Sequence, residues 1–498
     1  MNTLKRTRTL AIIAAAALPL FTSPAFAAQR RPAAKPPTQT DANPSTPIPA
    51  AELDQAFADL PKCKFGESQA PMDTIDQEIR ARHNSPEATA ALAKRLAAIL
   101  DGSPTIEARR YALRRLIRIA DNNCIPSVGK QLRDADTAQL AAGVLQGLND
   151  EASRAALRAA LADTRGMVLV QVVNTLGLMA DAPSTAAIVK LLGSDDEQVR
   201  LAAASALGHI GTREALEAIQ AGIAIAKGPM RAALIDAMLA CADKLAASDN
   251  SNAVAVDVFS RLFEKPDEPG FIRVAALRGL VKAVGGPSAE TVAVAILSDD
   301  IALATPATGF VKLIPAGWDR SRFAGLLQGL RPSLQVGVLE GLFERGDKGN
   351  LPLFVYYSKS ENADVRIVCI RAIGSMGGPD QVAMLVSLAA TAKGDEQLAA
   401  RGALERLPGD AVTAKLVELL EKADPPARVE LIRALPGRSA PNAVPVLFTA
   451  AKDASEEVRV EAIKTLGSLA PAADVGKLIA MFKDARSEKE SAALEDAV

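Results

Sequence analysis

Apolar and polar positions alternate along this chain with a helical period inside segments and a much longer period between them. The clearest segment runs from Asp195 to Gly211. Val199, Ala203 and Leu207 fall four apart, so they share one face of a helix. Asp195 and Asp196 stand ahead of the run, where an N-cap and favourable first-turn charges belong, and Gly211 marks the stop. A single amphipathic helix of this size cannot bury its own apolar face, so the pattern demands neighbours.

With Val199 as offset zero, twelve segments keep the same register. They start at Ala108, Leu140, Val168, Val199, Met230, Ile272, Leu303, Leu334, Val365, Ala399, Ala427 and Val458. Successive starts lie 28 to 34 residues apart, except for one step of 42 between Met230 and Ile272. A period near 31 predicts a solenoid of stacked units. The offset-four column is apolar throughout and mostly small: Ala112, Val144, Val172, Ala203, Leu234, Ala276, Ala307, Val338, Cys369, Ala403, Leu431 and Ala462. Offset eight reads Leu116, Leu148, Leu176, Leu207, Met238, Leu280, Val311, Leu342, Ile373, Leu407, Leu435 and Leu466, again with no charge. The fold predicted is all-α, an α-solenoid (an α–α superhelix of the armadillo/HEAT kind) of about twelve helix pairs, each with an outer and an inner helix.

Seven of the twelve offset-one positions are arginine: Arg109, Arg200, Arg231, Arg273, Arg366, Arg428 and Arg459. Each stem lies along its own core face, so the row reads as a ladder of Arg–carboxylate bonds between neighbouring loops. Asp196, Asp364 and Glu457 stand just before three of these arginines. The long step at Met230–Ile272 is expected to be an extended loop around Lys244–Asn252, rich in Ser, Asp and Asn.

Val-Arg-x-x-Ala-Ala-x-Ala-Leu-Gly at 199–208 resembles the short HEAT-like repeat first described in phycobilin (PBS) lyases, and 365–374 and 458–467 repeat it closely. The resemblance spans roughly 86–498. It implies the solenoid fold and, for function, a binding role. It also leaves a lyase or other enzyme open, although the lyase role needs a pigment and acceptor cysteines on a partner. Similar arrays accompany sugar-active or haem domains in large secreted bacterial proteins, which makes a module of such a protein a further alternative.

The flanks change the picture of where the chain works. Lys5, Arg6 and Arg8, the apolar stretch Leu10–Leu20 and Ala25-Phe26-Ala27 have the form of a signal peptide cleaved after Ala27. The expectation is therefore a periplasmic or secreted protein with no membrane insertion after cleavage. Residues 28–50 hold six prolines among small polar residues and read as a disordered linker. Residues 51–85 read as an N-terminal helical cap, and 86–498 as the repeat array. At the far end Ser487–Val498 begins another amphipathic helix with no capping glycine or polar tail after it. That pattern suggests an array cut short, continuing in a longer polypeptide.

Charge and chemistry then narrow the function. The chain carries 57 Lys+Arg against 58 Asp+Glu. Loss of the three basic residues of 1–27 leaves 57 − 3 = 54 against 58, or −4. The offset-six column, opposite the core, mixes signs: Arg114, Gln146, Asn174, Ser205, Asp236, Arg278, Gly309, Glu340, Arg371, Glu405, Arg433 and Lys464. A nucleic-acid groove needs a sustained positive track, so no nucleic-acid partner is expected. The two histidines, His83 and His209, have no ligand neighbours at metal spacing, and no nucleophile elbow, phosphate loop or Cys-x-x-Cys occurs. No cofactor, metal or catalytic residue is therefore assigned. The expected partner is a protein, bound on the concave face of the array.

Of the seventeen aromatic residues, ten lie between Phe259 and Tyr357. Trp318, Tyr356 and Tyr357, with Arg278, Glu340 and Arg371 from the offset-six column, form the candidate partner-binding set. Adjacent Tyr356 and Tyr357 point about 100° apart on a helix, so one face cannot bury both. Cys63 and Cys124 both lie near the N-terminal end, where they can form a disulfide. Cys241 and Cys369 are too many repeats apart to meet.

Overall fold

The computed structural model describes residues 47–248, 252–315, 317–318, 320–438 and 440–498. The expected signal peptide, and the linker up to residue 46, lie outside the described residues. Those described form 28 α-helices and no strand.

The inner helices fall where the columns place them. They are Ile106–Ile119, Ala138–Leu148, Gly166–Leu178, Glu197–Ile210, Gly228–Ala246, Gly270–Val284, Ile301–Thr308, Pro332–Glu344, Ala363–Met376, Gly394–Arg406, Pro425–Arg433 and Glu456–Leu469. A further helix, Glu488–Ala497, packs on the last of them. Outer helices such as Arg213–Ile225 and Asp410–Leu420 alternate with the inner ones. Every offset-four residue is buried, and so is every offset-eight residue except half-buried Leu148. The predicted stops and starts also form. Asp196 Oδ1 accepts from the Gln198 amide at 2.9 Å, and Gly211 ends the helix at φ 70°.

At four junctions glycine sets the spacing of the stack. A Cβ added to Gly208 would lie 2.8 Å from Ala237 O and 2.9 Å from Ala237 Cα, on the next inner helix. The same close approach recurs at Gly177 on Ala206 (2.6 Å), Gly374 on Ala403 (2.5 Å) and Gly467 on Ala497 (2.7 Å). Backbone therefore rests on backbone near the end of each of these inner helices, and any side chain there would wedge two layers apart.

The arginine row forms a ladder between neighbouring repeats, as its sequence pattern suggested. Arg366 donates to Glu396 through Nε and Nη2 at 2.8 and 2.7 Å, and its Nη1 caps Ser360 O and Glu361 O at 2.8 and 2.9 Å. Arg459 repeats this with Glu490 and with Asp453 O and Ala454 O. Arg109, Arg231 and Arg428 reach Asp134, Glu268 and Asp453 in the loop ahead of the following inner helix. The carboxylate thus comes from the next repeat, not from the residue preceding the arginine. Arg200 donates to loop carbonyls, Ser194 O at 2.7 Å and Asp195 O at 3.1 Å, and Arg273 donates to the backbone carbonyl Phe263 O at 2.9 Å.

The long step between Met230 and Ile272 is partly taken up by helix: Gly228–Ala246 runs for 19 residues with Lys244 inside it, and Asn252 begins the next helix. Residues 249–251 of the expected loop lie outside the described residues. In the seventh inner helix Pro306 shortens the element to Ile301–Thr308, and the column residue Val311 is held by a 3₁₀ turn, Val311–Leu313.

Ahead of the array, helices Ala50–Asp59 and Ala70–Ala81 pack against one another, and Arg115 of the first inner helix donates to Asp76 at 2.5 Å through both Nε and Nη2. Burial pushes the Asp76 carboxyl up, but hydrogen bonds from Arg115 and Tyr111 outweigh it and leave it below its ordinary value.

Two outcomes follow from these contacts. Gly208→Val inserts a branched side chain where backbone touches backbone, and is expected to cost about 1–3 kcal/mol or more in thermal or urea unfolding; an unchanged midpoint would contradict the close approach. The second concerns acid. The Arg366 hydrogen bonds hold the Glu396 carboxyl below its ordinary 4.5. A lowered folded-state value stabilises the fold above pH 4.5 and loses that contribution as pH falls through the folded value. Arg366→Gln is therefore expected to cost about 1–3 kcal/mol at pH 7. The gap to the unmodified protein should narrow below pH 4.5 in melts taken across pH.

Candidate protein-binding face

On a helix, offset six stands about 200° from offsets four and eight, so a residue there points away from the core that those columns build. The structure bears this out along the whole array. Every residue of the column from Arg114 to Lys464 is exposed except Arg433, which is half-buried. Arg433 is drawn down by carboxylates, donating to Glu430 at 2.7 Å and to Glu461 at 2.9 and 3.2 Å. The row is uncharged over Gln146, Asn174 and Ser205, then mixes signs from Asp236 onward. Solvent reaches Asp236, yet the protein around it pushes its carboxyl above the ordinary value. That combination fits a carboxylate recessed between neighbouring helices.

The candidate residues divide between different parts of the fold. Arg278, Glu340 and Arg371 are exposed on three inner helices. Tyr356 and Tyr357 instead end an outer helix, Leu351–Tyr357. Tyr356 is 70% exposed and Tyr357 half-buried, with the rings 5.0 Å apart and edge-on, as their 100° separation requires. Trp318 lies between the Val311–Leu313 turn and the outer helix Arg320–Leu327, and is 49% exposed. Its indole covers Gly286, where an added Cβ would fall 2.2 Å from the ring. The aromatic residues and the charged row therefore do not form one patch. Helical spacing gave the angle between the tyrosines, but not which layer of the solenoid carried them.

Cys63 and Cys124 are both buried free thiols, so the expected pair is not formed in the structure. Cys63 Sγ lies 3.7 Å from Asp59 O, and Cys124 Sγ lies 3.6 Å from Asp121 Oδ1. Burial raises the thiol of Cys63 and pushes that of Cys124 up to about 11. His83 and His209 bind backbone carbonyls of their own helical segments, Arg80 O and Ser205 O. Among the described residues no group of three or more His, Cys, Asp or Glu side chains is placed to hold a metal, and no helix is long and apolar enough to cross a membrane.

Two surface features escaped the sequence reading. Ile225, Phe271 and Ile301 are strongly exposed where successive repeats pass from outer to inner helix, Ile225 at 84% and Phe271 at 70%. The second is a cavity of about 360 Å³ on the inner helices near the C-terminal end. Its walls carry Arg401, Glu430, Arg433 and Glu461, and Val429 and Val460 line its apolar part. Arg401 binds Glu430 at 2.7 and 2.6 Å, and Glu430 also receives Arg433. The sequence signal was an arginine or glutamate at offset two, three or six in three consecutive repeats.

A fold of stacked helix pairs carrying one continuous exposed row defines the α-solenoids. The HEAT repeats family model matches residues 155–239 and 413–497. The chain thus carries HEAT-like repeats in these two regions. No curated protein matches its sequence. Among solved structures it is similar to Kap121p bound to Ste12p, at 10% identity over 90% of this chain and 57% of that one, with a TM-score of 0.51. It is also similar to Kap95p with RanGDP (13% identity, 90% of this chain and 66% of that one, TM-score 0.42). Human deoxyhypusine hydroxylase matches at 21% identity over 49% of this chain and 95% of its own, with a TM-score of 0.24. At these identities the likeness to Kap121p is one of fold.

Proposed function

We propose that this chain is an exported, non-enzymatic scaffold that takes a protein partner along the exposed, concave side of its inner helices. The observation that carries the reading is the offset-six row, which is exposed in every repeat but that of half-buried Arg433. An extended polar face of mixed charge over a stack of repeats suits a polypeptide, because nearly every unit presents one side chain at a regular spacing. The arginines one turn away are already engaged in the ladder, so they hold the layers together while the row remains available. Kap121p, similar in fold, is a protein that binds another protein, Ste12p. Export rests on the basic start, apolar stretch and Ala25-Phe26-Ala27 of the first 27 residues, and places the partner in the periplasm or outside the cell.

The test is affinity capture from the envelope of the cells that export the protein, using tagged residues 28–498. Arg278→Glu/Arg371→Glu is compared with Arg261→Glu, whose side chain is exposed on the outer helix Asn252–Glu264. The expected result is one protein retained in near-stoichiometric amount, lost with the inner-row double variant and kept with the outer control. Retention of only a small molecule or a polysaccharide, or equal loss with both variants, would contradict the reading.

A further inference from the structure

The cavity of about 360 Å³ on the inner helices Gly394–Arg406, Pro425–Arg433 and Glu456–Leu469 has a charge arrangement that selects its occupant. Its two guanidinium groups are both paired with carboxylates. Arg401 lies flat against Glu430 with two hydrogen bonds, and Arg433 bridges Glu430 and Glu461. Glu430 itself is only 5% exposed, so this chain of alternating charges forms a closed wall rather than an open anion site. At the mouth the balance tips the other way. Lys489 approaches Glu456 at 3.8 Å, and exposed Glu457 makes no ion pair among the described contacts. The lining counts four carboxylates (Glu430, Glu456, Glu457, Glu461) against three cations (Arg401, Arg433, Lys489), a balance of −1. Beneath them Pro426, Val429 and Val460 supply apolar surface.

We propose that this cavity receives a lysine or arginine side chain projecting from the partner polypeptide. The proposal rests on the scaffold reading and names the chemistry of the partner at one point of the same face. Such a side chain has the two halves the cavity asks for. Its methylene stem lies on Val429, Val460 and Pro426, and its cationic head meets Glu457 and the free lone pairs of Glu461, whose bonds to Arg433 leave acceptor capacity. An anionic side chain would meet the surplus negative charge, and a neutral one would leave Glu457 uncompensated. The volume falls near the lower end of the roughly 300–1,000 Å³ range of ligand pockets and has room for one long side chain, not a folded element. Arg433 belongs to the offset-six row, so a polypeptide following that row passes over the mouth.

The test uses residues 28–498 with the valine methyl groups labelled for NMR. Two nine-residue glycine/serine peptides serve as probes, one with a central arginine and one with the neutral isostere citrulline. Saturable shifts of the Val429 and Val460 methyl signals with the arginine peptide, absent with citrulline, are expected. Glu457→Gln, at an exposed position where folding is not at stake, should weaken that binding at least fivefold, and Glu457→Asp should restore most of it. Silent methyl signals, equal response to citrulline, or no effect of Glu457→Gln would overturn the proposal. Tighter binding of free spermidine than of the arginine peptide would assign the cavity to a small cation and overturn it too. The two readings separate cleanly. A partner captured through Arg278 and Arg371 with silent Val429 and Val460 removes the cavity proposal alone, and arginine-dependent shifts with no captured protein support the cavity and remove the scaffold.

Discussion

At four junctions of the stack, successive helices touch where one of them has no side chain. Gly177, Gly208, Gly374 and Gly467 each place a backbone against the backbone of the following layer, at a distance that a single methyl group would violate. At Gly374 and Gly467 the same pairs of layers are also tied by arginine, Arg366 to Glu396 and Arg459 to Glu490, some thirty residues ahead. Arg109, Arg231 and Arg428 make the corresponding bond in repeats without that glycine, so the small contact and the ladder are two separate ties between layers. The offset-six row stands out of the core in both kinds of repeat.

The ladder and the row divide the charged residues between two tasks. An arginine fixed by a neighbouring carboxylate and by two loop carbonyls is fully satisfied and has little left for a ligand. Arg200 shows the arrangement without the cross-layer acid, holding Ser194 O and Asp195 O of its own loop. Side chains of the row, by contrast, stand in solvent, and Arg433 is the exception because two carboxylates flank it. Where ladder-like pairing enters the row, at Arg433 with Glu430 and Glu461, the surface becomes a cavity with a closed wall. The change in character along the array, from neutral Gln146, Asn174 and Ser205 to the charged members that follow, gives the face a direction that a partner can read.

The inner layer was legible in the sequence because a fixed period averages over many copies. The column residues Ala203 and Leu207 recur so often that one misplaced member, such as half-buried Leu148, does not disturb the register. Features set by contacts between repeats were harder to read. Asp364 is near Arg366 in sequence, but Glu396 is near it in space, and only the stacking shows this. Composition set the boundary too early at Lys244, which lies inside a 19-residue helix that runs on to Ala246. Tyr356 and Tyr357 showed the opposite limit, since their spacing gave an angle on one helix without the layer that helix occupies. The cavity needs three repeats at once, and no single segment carries its signal.

The central claim is that the row on the inner helices is the face that meets the partner, and cysteine footprinting tests it most directly. All four native cysteines are buried, so a thiol introduced on the surface is labelled against a quiet background. Single cysteines at Ser205, Arg278, Glu340 and Arg371 are compared with one at Tyr356 on an outer helix, with and without the captured partner. The account predicts that maleimide labelling slows severalfold at the inner-row sites in the complex and is unchanged at position 356. Protection at 356 with free labelling along the row would contradict it.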